Sequence, residues 1–570
     1  MFKVYRVNTR THAITQEDFK DEYREFGNRG IIAKVLTDEV NPKCDPLGPE
    51  NKLIVCTGML AGTSLTTANR VSCGAKSPVT GGIKESNVGG NVGFYLVGHG
   101  IKMLIFEEMP EDDRWYIFKV NSDSSVELIF ADEYMGLDTY DTVEKMHQKY
   151  GKDINVLTIG TAGERVFRVA SLQATDATTH HPSRSAARGG MGAVAGSKKI
   201  KAILIEKPSE RAKYPYVDKA LFDKANKTVV ECFKEPGPAQ GLNAIGTNAM
   251  IDLTAQLGML PTFNHSGRMY PPEMLETINI KSWLERVNQY GGKQGTACQN
   301  GCLTKCSNIY NNPDGSALTG GLEYESFAVC GPNCGMTSLD LIAEMDRFSD
   351  DLGIDAMDFG CAIGVLMDEG KIPWGDPEGV RDAMKQMREG KTELGKLLAE
   401  GTHRLGVAIG AKRIPTVKKQ SMGGYDPRNL KGLGITYATN PMGADHTSGN
   451  TMGPGEHHKK EGQVALSKEK QVEATMLDNI CCMMAIMQAA AKYSEVLPQL
   501  MQGALGGEWD YDKVLDIGRK TLKLEWAWNE AAGFTKDDDK LPDFMYEQPT
   551  ENTQAVFDLT TEEMQEIYNL

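Results

Sequence analysis

Three regularly spaced cysteines are the residues whose chemistry can be read most directly from this sequence. Cys298, Cys302 and Cys306 lie four residues apart in a segment that also contains Gly295 and Gly301. On a continuous helix their sulfurs would spread over roughly 12 Å. An iron–sulfur cluster needs ligands that surround one small object, and a loop with glycine hinges provides them better than a helix. The sequence around them has neither the second CxxC nor the histidine pair of a usual zinc site. The spacing therefore predicts a loop with three metal ligands and a fourth from elsewhere.

Two glycine-rich segments nearer the N-terminus could bind anionic groups. The first, Lys76–Gly90, offers bare backbone amides, short hydroxyls and two lysines, and it includes Asn87 and Gly89. Such amides can form nests for anionic oxygens, although a set of tight β-turns explains the composition equally well. In the second, Arg184–Lys201, five basic residues alternate with small ones. Its glycine spacing is not that of a dinucleotide fingerprint, and we expect no strand to lead straight into it. Together the two segments favour a large anionic cofactor.

Length and composition limit the classes of protein to which this chain can belong. It has 570 residues, a formal net charge of −15, 40% hydrophobic residues and 24% charged residues. The length predicts three or four domains. The acidic balance argues against nucleic acid as a partner. We find neither a secretion signal nor an apolar run near the roughly 20 residues that span a bilayer. We therefore expect a cytoplasmic protein with no membrane partner, whose 12 cysteines are metal ligands or reduced thiols rather than disulfides.

The elements that must position these residues change character along the chain. Short β-branched and aromatic runs recur in the first third, and helical apolar spacing follows Pro208. The predicted strands are Lys3–Val7, Leu53–Cys56, Met103–Phe106, Trp115–Val120, Val126–Phe130, Val156–Ile159 and Ala202–Glu206. The predicted helices are Tyr216–Lys234, Asn248–Leu260, Ser338–Leu352, Pro377–Gly390, Leu394–Gly410, Lys468–Leu497 and Tyr511–Ala532. We predict an α+β fold in which a β-rich cofactor-binding domain, a sandwich or barrel at 1–207, precedes two mainly α-helical domains at 208–414 and 415–570.

Several segments of the chain resemble, in order, the aldehyde:ferredoxin oxidoreductase family. They are GPENKLIVCTGMLAGT (48–63), NRVSCGAKSPVTGGIKESNVGG (69–90), IGTAGE (159–164), ARGGMGAVAGSKKIKAI (187–203), GTNAMIDLTAQLGMLPTFN (246–264), GLEYES (321–326), GPNCGM (331–336), YDPRNLKGLGITYATN (425–440) and GADH (443–446). The resemblance implies three domains, a tungsten or molybdenum ion held by two pterins, a magnesium ion bridging the pterin phosphates, and one [4Fe–4S] cluster. It also implies oxidation of a small aldehyde to a carboxylic acid, with the electrons leaving through ferredoxin or a ferredoxin-like subunit.

By the same resemblance, functional residues carry over onto the matching positions. Arg70 would lie between cluster and pterin, and Asn87 with the turn Ala187–Gly190 would serve the pterin phosphates and magnesium. Asp350–Asp355 matches the family pattern D-x-x-G-L-D, which binds one pterin, and Asp478 begins a second such motif. The residues expected to bind the cofactor, including those of the first glycine-rich segment, are Arg70, Lys76, Asn87, Gly89, Gly90, Ala187, Arg188, Gly189, Gly190, Asp350, Gly353, Ile354, Asp355 and Asp478.

The chain departs from the family pattern around the cluster. The second pterin motif, D-x-x-G-L-C, places the fourth cluster cysteine where this chain has Met483. A one-residue deletion would supply Cys481 or Cys482 instead, and we predict Cys482. The family usually shows C-x2-C-x3-C at the cysteine loop, where this chain has C-x3-C-x3-C. Arg347 replaces the histidine of an E-x-x-H motif that binds a metal at a dimer interface in some members, so we predict no metal there. A homo-oligomer remains compatible with the sequence.

Glu325 in EYES and His446 in GADH are the predicted catalytic residues. Aldehyde oxidation needs a proton acceptor near the substrate, and a carboxylate or imidazole with a tuned pKa can meet that need. Without the resemblance, Glu325 would more simply be a surface carboxylate and His446 a hydrogen-bonded loop histidine. Glu323 is the rival to Glu325. Two tyrosines, Tyr425 and Tyr437, could line the pocket.

The acidic net charge of the chain bears on its partners, and its departures from the family pattern leave alternative functions open. Because ferredoxins are typically acidic, an acidic enzyme needs a local basic patch, for which Lys293, Lys305, Lys418 and Lys419 are the candidates. One alternative is a low-potential reductase subunit of a larger complex that acts on an acid or thioester. Another is a cofactor-binding homologue without catalysis.

Overall fold

The computed structural model describes residues 2–484 and 487–570. Its strands are β1 (Lys3–Asn8), β2 (Ala13–Asp18), β3 (Leu53–Thr57), β4 (Val71–Lys76), β5 (Ile83–Val88), β6 (Ile101–Glu107), β7 (Tyr116–Val120), β8 (Val126–Phe130), β9 (Asn155–Thr158), β10 (Leu172–Ala174), β11 (Arg184–Ala186), β12 (Ile200–Ile205), β13 (Lys293–Thr296), β14 (Ser307–Asn311), β15 (Ala317–Gly320), β16 (Thr416–Val417) and β17 (Gln420–Ser421). The strands thus concentrate in the first 205 residues.

The helices dominate the rest of the chain. They are α1 (Asn28–Glu39), α2 (Val92–Gly98), α3 (Thr139–Tyr150), α4 (Thr161–Glu164), α5 (Met191–Ser197), α6 (Lys219–Cys232), α7 (Pro238–Ile245), α8 (Met250–Gln256), α9 (Pro272–Ile278), α10 (Ile280–Gln289), α11 (Tyr324–Cys330), α12 (Leu339–Leu352), α13 (Ala356–Asp368), α14 (Pro377–Glu389), α15 (Glu393–Glu400), α16 (Thr402–Ile409), α17 (Lys431–Thr439), α18 (Gln463–Ile480), α19 (Tyr493–Leu505), α20 (Tyr511–Ala532), α21 (Phe544–Glu547) and α22 (Thr561–Met564). In the described part of the chain, no helix combines the length and apolar character that crossing a membrane requires.

The N-terminal region is a sandwich of two six-stranded mixed sheets. Their strand orders are β2-β1-β6-β3-β4-β5 and β11-β10-β9-β12-β7-β8. One core lies between the sheets and takes Val7 and Phe106 from the first and Phe118 and Leu157 from the second. The Phe106 and Phe118 rings meet edge to face, with centroids 5.8 Å apart. On the outer faces, α1 covers the first sheet and α3 the second. The predicted α+β fold, β-rich first and mainly helical afterwards, is confirmed.

The strands rich in β-branched and aromatic residues were predictable, and the polar ones were not. All seven predicted strands are present, with ends shifted by at most two residues. In the N-terminal region the sequence reasoning missed β2, β4, β5, β10 and β11, and it predicted none of the later strands β13 to β17. Strands β4 and β5 are almost wholly buried yet carry glycine, serine and charged residues, so no apolar alternation marks them. The segment Lys76–Gly90 therefore comprises the end of β4, a tight turn, β5 and two glycines, and β11 leads straight into the glycines of the second segment, contrary to expectation.

Two of the predicted helices are each interrupted in the structure. The predicted helix Lys468–Leu497 is wrong: α18 ends at Ile480, Cys481 has an extended φ of −161°, and α19 begins at Tyr493. Residues 485 and 486 of that prediction lie outside the described residues. The predicted helix Leu394–Gly410 is α15 and α16, which Gly401 separates with a φ of 91°. Ser338, the first residue of another predicted helix, caps α12 by accepting a hydrogen bond from the Leu341 amide.

Candidate functional site

The three spaced cysteines lie in a loop that joins β13 to β14 of a three-stranded sheet. Gly295 and Gly301 have φ values of 68° and 78°, a conformation that favours glycine, so both act as the predicted hinges. Lys305 also has a positive φ, 47°, and its amide donates to the sulfur of Cys302 over 3.4 Å. An N–H aimed at sulfur favours the thiolate. The backbone of the loop thus provides a hydrogen bond that favours a metal-binding thiolate at Cys302.

The N-terminal sheets hold this loop in place. The carbonyl oxygen of Cys298 accepts hydrogen bonds from the amides of Gly90 at 3.0 Å and Ala177 at 3.3 Å. A Cβ built on Gly89 would lie 3.1 Å from the Cys298 sulfur, so any side chain there would crowd it. Packing against the cysteine therefore explains the glycine at position 89, and a role for Gly89 and Gly90 in cofactor binding stays a prediction.

Four thiols and one guanidinium share a buried region. Burial, and then the neighbouring thiols of Cys302 and Cys482, raise the pKa of the Cys298 thiol to about 12, although Arg70 opposes them. The pKa of Cys306 is also raised well above its usual range, by burial and then by nearby charges that include the same thiols. Burial disfavours the charge of Arg70, but Cys482, Cys298 and Cys306 favour it and raise its pKa. A cluster that binds thiolates would supply the positive charge this arrangement lacks. The donor set fits a four-cysteine cluster.

The structure groups Cys482, rather than Cys481, with the cysteine loop. Because α18 stops at Ile480, the chain turns so that the two consecutive cysteines point to different surroundings. Cys481 is fully buried in an apolar core with Leu477 and Tyr493. Cys482 is partly exposed and acts on the pKa of all three loop cysteines.

No group of three or more His, Cys, Asp or Glu side chains, among residues 2–484 and 487–570, is arranged to hold a metal ion. The ligands of a cuboidal cluster each bind a different iron, so they stand further apart than the ligands of one ion.

Arg184 is a residue near the cysteine loop that sequence reasoning did not single out. Its Nε lies 2.7 Å from Asp176 Oδ2, and its Nη2 donates to Ser307 Oγ at 2.7 Å. Nη1 lies 3.5 Å from Glu323 Oε1. After burial and Asp176, Cys298 is the next group that acts on its pKa. Ser307 is 123 residues away in the chain, so no local signal could have revealed the pairing.

Glu325 and His446 face each other, whereas Glu323 does not join them. Glu325 lies in the first turn of α11, and its Oε1 is 3.5 Å from His446 Nε2. Its other oxygen accepts the Gly424 amide at 2.7 Å. Glu323 instead accepts from Thr247 Oγ1 at 2.7 Å on the Arg184 side. Of the two rival carboxylates, only Glu325 lies against the histidine.

A third polar group, the Tyr437 hydroxyl, lies near the same pair, beside Gly423. A Cβ on Gly423 would lie 2.9 Å from Tyr437 Oη, 3.3 Å from Glu325 Oε2 and 3.3 Å from His446 Cβ. Burial raises the pKa of Glu325, and His446 and the Gly424 amide oppose that rise. The carboxyl therefore keeps its proton to higher pH than an exposed glutamate would. The arrangement can accept and hold a proton.

Arg188 joins three parts of the chain through its side chain. Its Nη1 donates to Ala444 O at 2.7 Å, its Nη2 donates to Ser421 Oγ at 2.8 Å, and its Nε lies 3.3 Å from Asp355 Oδ2. Because these protein groups occupy the guanidinium, a contact with the cofactor would come from the backbone of its turn. Gly189 and Gly190 both have φ values of 82°, the left-handed conformation that such a turn requires.

Arg70 and Asn87 lie together, and Lys76 lies apart from them. Arg70 Nε donates to Asn87 Oδ1, and its Nη2 donates to Asn87 O at 3.2 Å. The ammonium of Lys76 instead donates to the carbonyls of Pro42 and Cys44. The structure therefore brings Arg70 and Asn87 to the edge of the thiol group but does not bring the charge of Lys76 there.

The two predicted pterin motifs are held by buried charges. In the first, Gly353 ends α12 with a φ of 76°, and Asp355 caps α13 by accepting the Met357 amide at 3.0 Å. Ile354 forms a backbone bridge with Ala170. Burial and then the charge of Asp346 raise the pKa of Asp350 well above its usual range. Gly353, Ile354 and Asp355 thus have structural roles besides the predicted binding of a pterin.

In the second motif, Asp478 belongs to a cluster of buried charges. Burial and then the charge of Glu85 raise its pKa to about 8, against the opposing effect of Arg29. Arg29 binds Glu525 through two contacts of 2.8 Å and lies 3.4 Å from Asp478. Glu85, which the sequence reasoning did not select, also has a pKa raised by burial. This cluster joins α1, β5, α18 and α20.

Several buried polar side-chain atoms lack a hydrogen-bond partner among the described residues. They are Asn28 Nδ2 and Oδ1, Gln173 Oε1, Asp358 Oδ2, Tyr437 Oη, Asn440 Nδ2 and His446 Nδ1. A buried polar atom left alone costs free energy, about 1–3 kcal/mol, so such atoms normally bind water or a ligand. A bound pterin, rich in hydrogen-bonding groups, would supply partners for atoms of this kind.

The four candidate docking lysines lie in different environments. Lys293 and Lys305 are exposed at the cysteine loop, and Lys419 is exposed on the β16–β17 hairpin. Lys418 is wrong as a docking residue: its side chain is 4% exposed and pairs with Asp539 at 2.7 Å. A partner could not reach that charge.

Comparisons with known proteins match nearly the whole chain. The family described as "Aldehyde ferredoxin oxidoreductase, N-terminal domain" matches residues 4–207, and "Aldehyde ferredoxin oxidoreductase, domains 2 & 3" matches residues 224–570. A tungsten-containing aldehyde ferredoxin oxidoreductase of Pyrococcus furiosus is 30% identical, over 95% of this chain and 91% of that protein. The protein of that name from Pyrococcus horikoshii is 31% identical, over 96% and 91%.

Two further similarities are more distant. The "Aliphatic sulfonate oxidoreductase, WOR-like subunit" of Pyrococcus furiosus is 25% identical over 74% of this chain and 70% of its own. Among solved structures, the "Active site complex BamBC of Benzoyl Coenzyme A reductase in complex with 1,5 Dienoyl-CoA" superposes with a TM-score of 0.80 at 18% identity. That match covers 99% of this chain and 92% of the other, and it shows a common fold.

Proposed function

The chain belongs to the aldehyde ferredoxin oxidoreductase family, and from this premise we propose that it oxidises an aldehyde to a carboxylic acid on a tungsten or molybdenum ion held by two pterins. The observation that carries the proposal is the approach of His446 Nε2 to Glu325 Oε1, at 3.5 Å beside the Tyr437 hydroxyl. Both residues come from segments distant in sequence, and both match the family's motifs.

The chain's own residues manage protons and geometry in the proposed reaction. Oxidation of an aldehyde consumes one water and releases two electrons and two protons. The metal–pterin group, when bound, supplies the acceptor for the two electrons. Glu325 takes a proton from the water or its adduct, and its carboxylate lies 3.5 Å from the imidazole that can receive the proton next. The Gly424 amide fixes one carboxylate oxygen, and His446 holds or passes on the proton.

The electrons would leave through the cysteine loop. Cys298, Cys302, Cys306 and Cys482 would hold a [4Fe–4S] cluster, and Arg70 would lie between it and the pterin. Asn87 and the Ala187–Gly190 turn would serve the pterin phosphates and their magnesium ion. Lys293 and Lys305, exposed beside the loop, would receive ferredoxin or a similar acidic electron carrier.

Substitution of the two rival carboxylates tests the proposal. Glu325→Gln keeps the shape of the side chain but removes the base, so we expect kcat for aldehyde-dependent viologen reduction to fall at least about 100-fold. Glu323→Gln, two residues away and facing Arg184, should fall far less. Equal loss in both variants, with metal contents unchanged, would contradict the assigned role of Glu325.

A reductive function is the second candidate, in which the chain is a low-potential subunit of a larger complex. The similarity to a sulfonate oxidoreductase subunit and the changed cysteine spacing favour keeping it. Viologen assays in both directions separate the two. Aldehyde oxidation without reduction of any acid or thioester supports the first, and the reverse pattern supports the second.

A further inference from the structure

A buried ion pair adjoins the candidate catalytic histidine in the chain. Lys84, on β5, places its Nζ 2.5 Å from Oδ2 of Asp445, the residue immediately before His446. The two side chains are 1% and 7% exposed. The partners are 361 residues apart, so the contact ties the N-terminal sheets to the segment that carries the histidine.

The second oxygen of Asp445 shapes the turn that holds His446. Oδ1 accepts the amide of Thr447 at 3.1 Å and its hydroxyl at 2.8 Å, which caps the short turn His446–Ser448. Both carboxylate oxygens are therefore in use. Since Lys84 fixes one oxygen and the turn uses the other, the position of the ammonium determines where the turn begins.

The stem of Lys84 is itself held in place. A Cβ on Gly189 would lie 2.3 Å from Lys84 Cγ, so only glycine at 189 lets the lysine pass. The next residue on the strand, Glu85, directs its amide at the sulfur of Met442 over 3.3 Å. With the Arg188 contact to Ala444 O at 2.7 Å, three of the four residues before His446 are held by the N-terminal region.

The charge of Lys84 also matters to the histidine. His446 lies 3.5 Å from the Glu325 carboxylate and directly follows the Asp445 carboxylate. Burial would raise the pKa of Asp445, yet Lys84, Arg188 and His446 hold it well below its usual range. Without the ammonium, Arg188 alone would compensate the buried Asp445 carboxylate, and the excess negative charge would favour a positive charge on the neighbouring imidazole.

Other titratable groups face this turn from every element packed around it. They are Glu325 of α11, Tyr437 of α17, Asp478 of α18, Arg29 of α1, Glu85 of β5 and Arg188 of the Ala187–Gly190 turn. None of these contacts would be removed by a substitution of Lys84 alone, so the effect of its charge can be measured separately.

We propose that Lys84 is a positioning residue for His446: through Asp445 it fixes the turn that carries the imidazole and cancels the carboxylate charge beside it. The inference rests on the proposed proton-handling role of His446. It adds to that role a lysine that does not touch the substrate and acts only through its partner.

The test compares Lys84→Met, Asp445→Asn and the double variant in anaerobically purified holoenzyme. In Lys84→Met the unpaired carboxylate should shift the His446-dependent limb of the pH–rate profile upward by about one pH unit. The double variant removes both charges, so its limb should return towards the wild-type position. Lys52→Met is the control: it breaks ion pairs with Glu39 and Glu107 in the N-terminal sheets and should leave the limb in place.

Crystal structures of the same variants give a readout without turnover. We expect the distance between His446 Nε2 and Glu325 Oε1 to change in Lys84→Met. If the pH limb and that distance both match the wild type, or if the rate falls with neither altered, the proposal is overturned. If Lys84→Met does not fold, the same comparison of Asp445→Asn with the double variant decides it. If the wild type oxidises no aldehyde, the proposed function fails, while the crystallographic distance still tests the positioning.

Discussion

Burial and the neighbouring charges together set the pKa values of the buried carboxylates at the candidate site. Glu325 keeps a raised pKa because its carboxylate has left water and is only partly compensated by His446 and one amide. Asp445 is as deeply buried but has a lowered pKa, because an ammonium and a guanidinium face it. Two carboxylates close to one histidine thus have pKa values shifted in opposite directions, which is how a site gives two like groups different roles.

The raised pKa of Glu325 predicts the acid limb of the pH profile. A base works only when deprotonated, so kcat/KM should rise with pH through a value above the roughly 4.3 of an ordinary glutamate. Rates from pH 4 to 9 with a viologen acceptor measure this. The limb should be missing in Glu325→Gln, and a wild-type limb at or below pH 4.3 would contradict the assignment.

His265 allows a prediction about stability rather than catalysis. It is fully buried, burial lowers its pKa to about 4, and neither ring nitrogen has a partner among the described residues. The pKa of His265 in the folded state lies below its value of about 6.5 in the unfolded state. The free energy of unfolding therefore has its full value above pH 6.5 and decreases as the pH falls towards 4. At pH 5 the loss is about 2 kcal/mol.

His265→Phe should remove that loss while filling a similar volume. We expect the difference in melting temperature between pH 7 and pH 5 to be smaller in the variant than in the wild type. His12→Phe is the control, since His12 is exposed. Identical pH dependence in the wild type and the His265 variant would show that a ligand or water satisfies the buried ring.

Loop and helix ends, more than the regular elements, determine the candidate site. The cysteine loop could be predicted, because three cysteines interspersed with Gly295 and Gly301 do not suit a helix. The end of α18 could not, because the apolar run continues past Ile480 and its periodicity carries no stop signal. Strands β4 and β5 were missed for a related reason: their side chains serve contacts across the molecule, such as Lys84 to Asp445, and so lack an apolar pattern. The pairing of Arg184 with Ser307 could not be predicted either, because no local sequence signal marks it.

The break after α18 predicts which of two neighbouring cysteines binds the cluster. Cys482→Ser should lose cluster iron and the electron paramagnetic resonance signal of the reduced protein, since its sulfur lies with the loop cysteines. Cys481→Ser changes a thiol within an apolar core and should keep both. Loss of iron in the Cys481 variant with retention in the Cys482 variant would reverse the assignment.

In the whole molecule, cations of the N-terminal region form hydrogen bonds and ion pairs with the helical part around the candidate site. Arg188 joins Asp355 and Ala444, Lys84 joins Asp445, and Arg29 joins Asp478 to Glu525. We propose the three-domain division at 1–207, 208–414 and 415–570, with the site where these contacts meet. The family resemblance predicted the order of the motifs along the chain, but the pairs of buried charges that join them depend on the folded arrangement.

The distribution of exposed charge predicts how an electron carrier docks. Replacing Lys293 and Lys305 with glutamine should slow electron transfer to an acidic ferredoxin at low salt and weaken its salt dependence, since screening acts on exposed charges. Lys385→Gln on α14, an exposed lysine on an element packed against α12 and α15, is the control. Unchanged rates at low ionic strength in the double variant would exclude docking at this loop.

The metal content of the anaerobically purified protein tests the central claim most directly. A bis-pterin metal site beside one four-iron cluster requires about four iron atoms and one tungsten or molybdenum atom per chain, measured by elemental mass spectrometry. We expect that ratio, and we expect Cys482→Ser to lose the iron. Zinc alone, with neither tungsten nor molybdenum, would contradict the account.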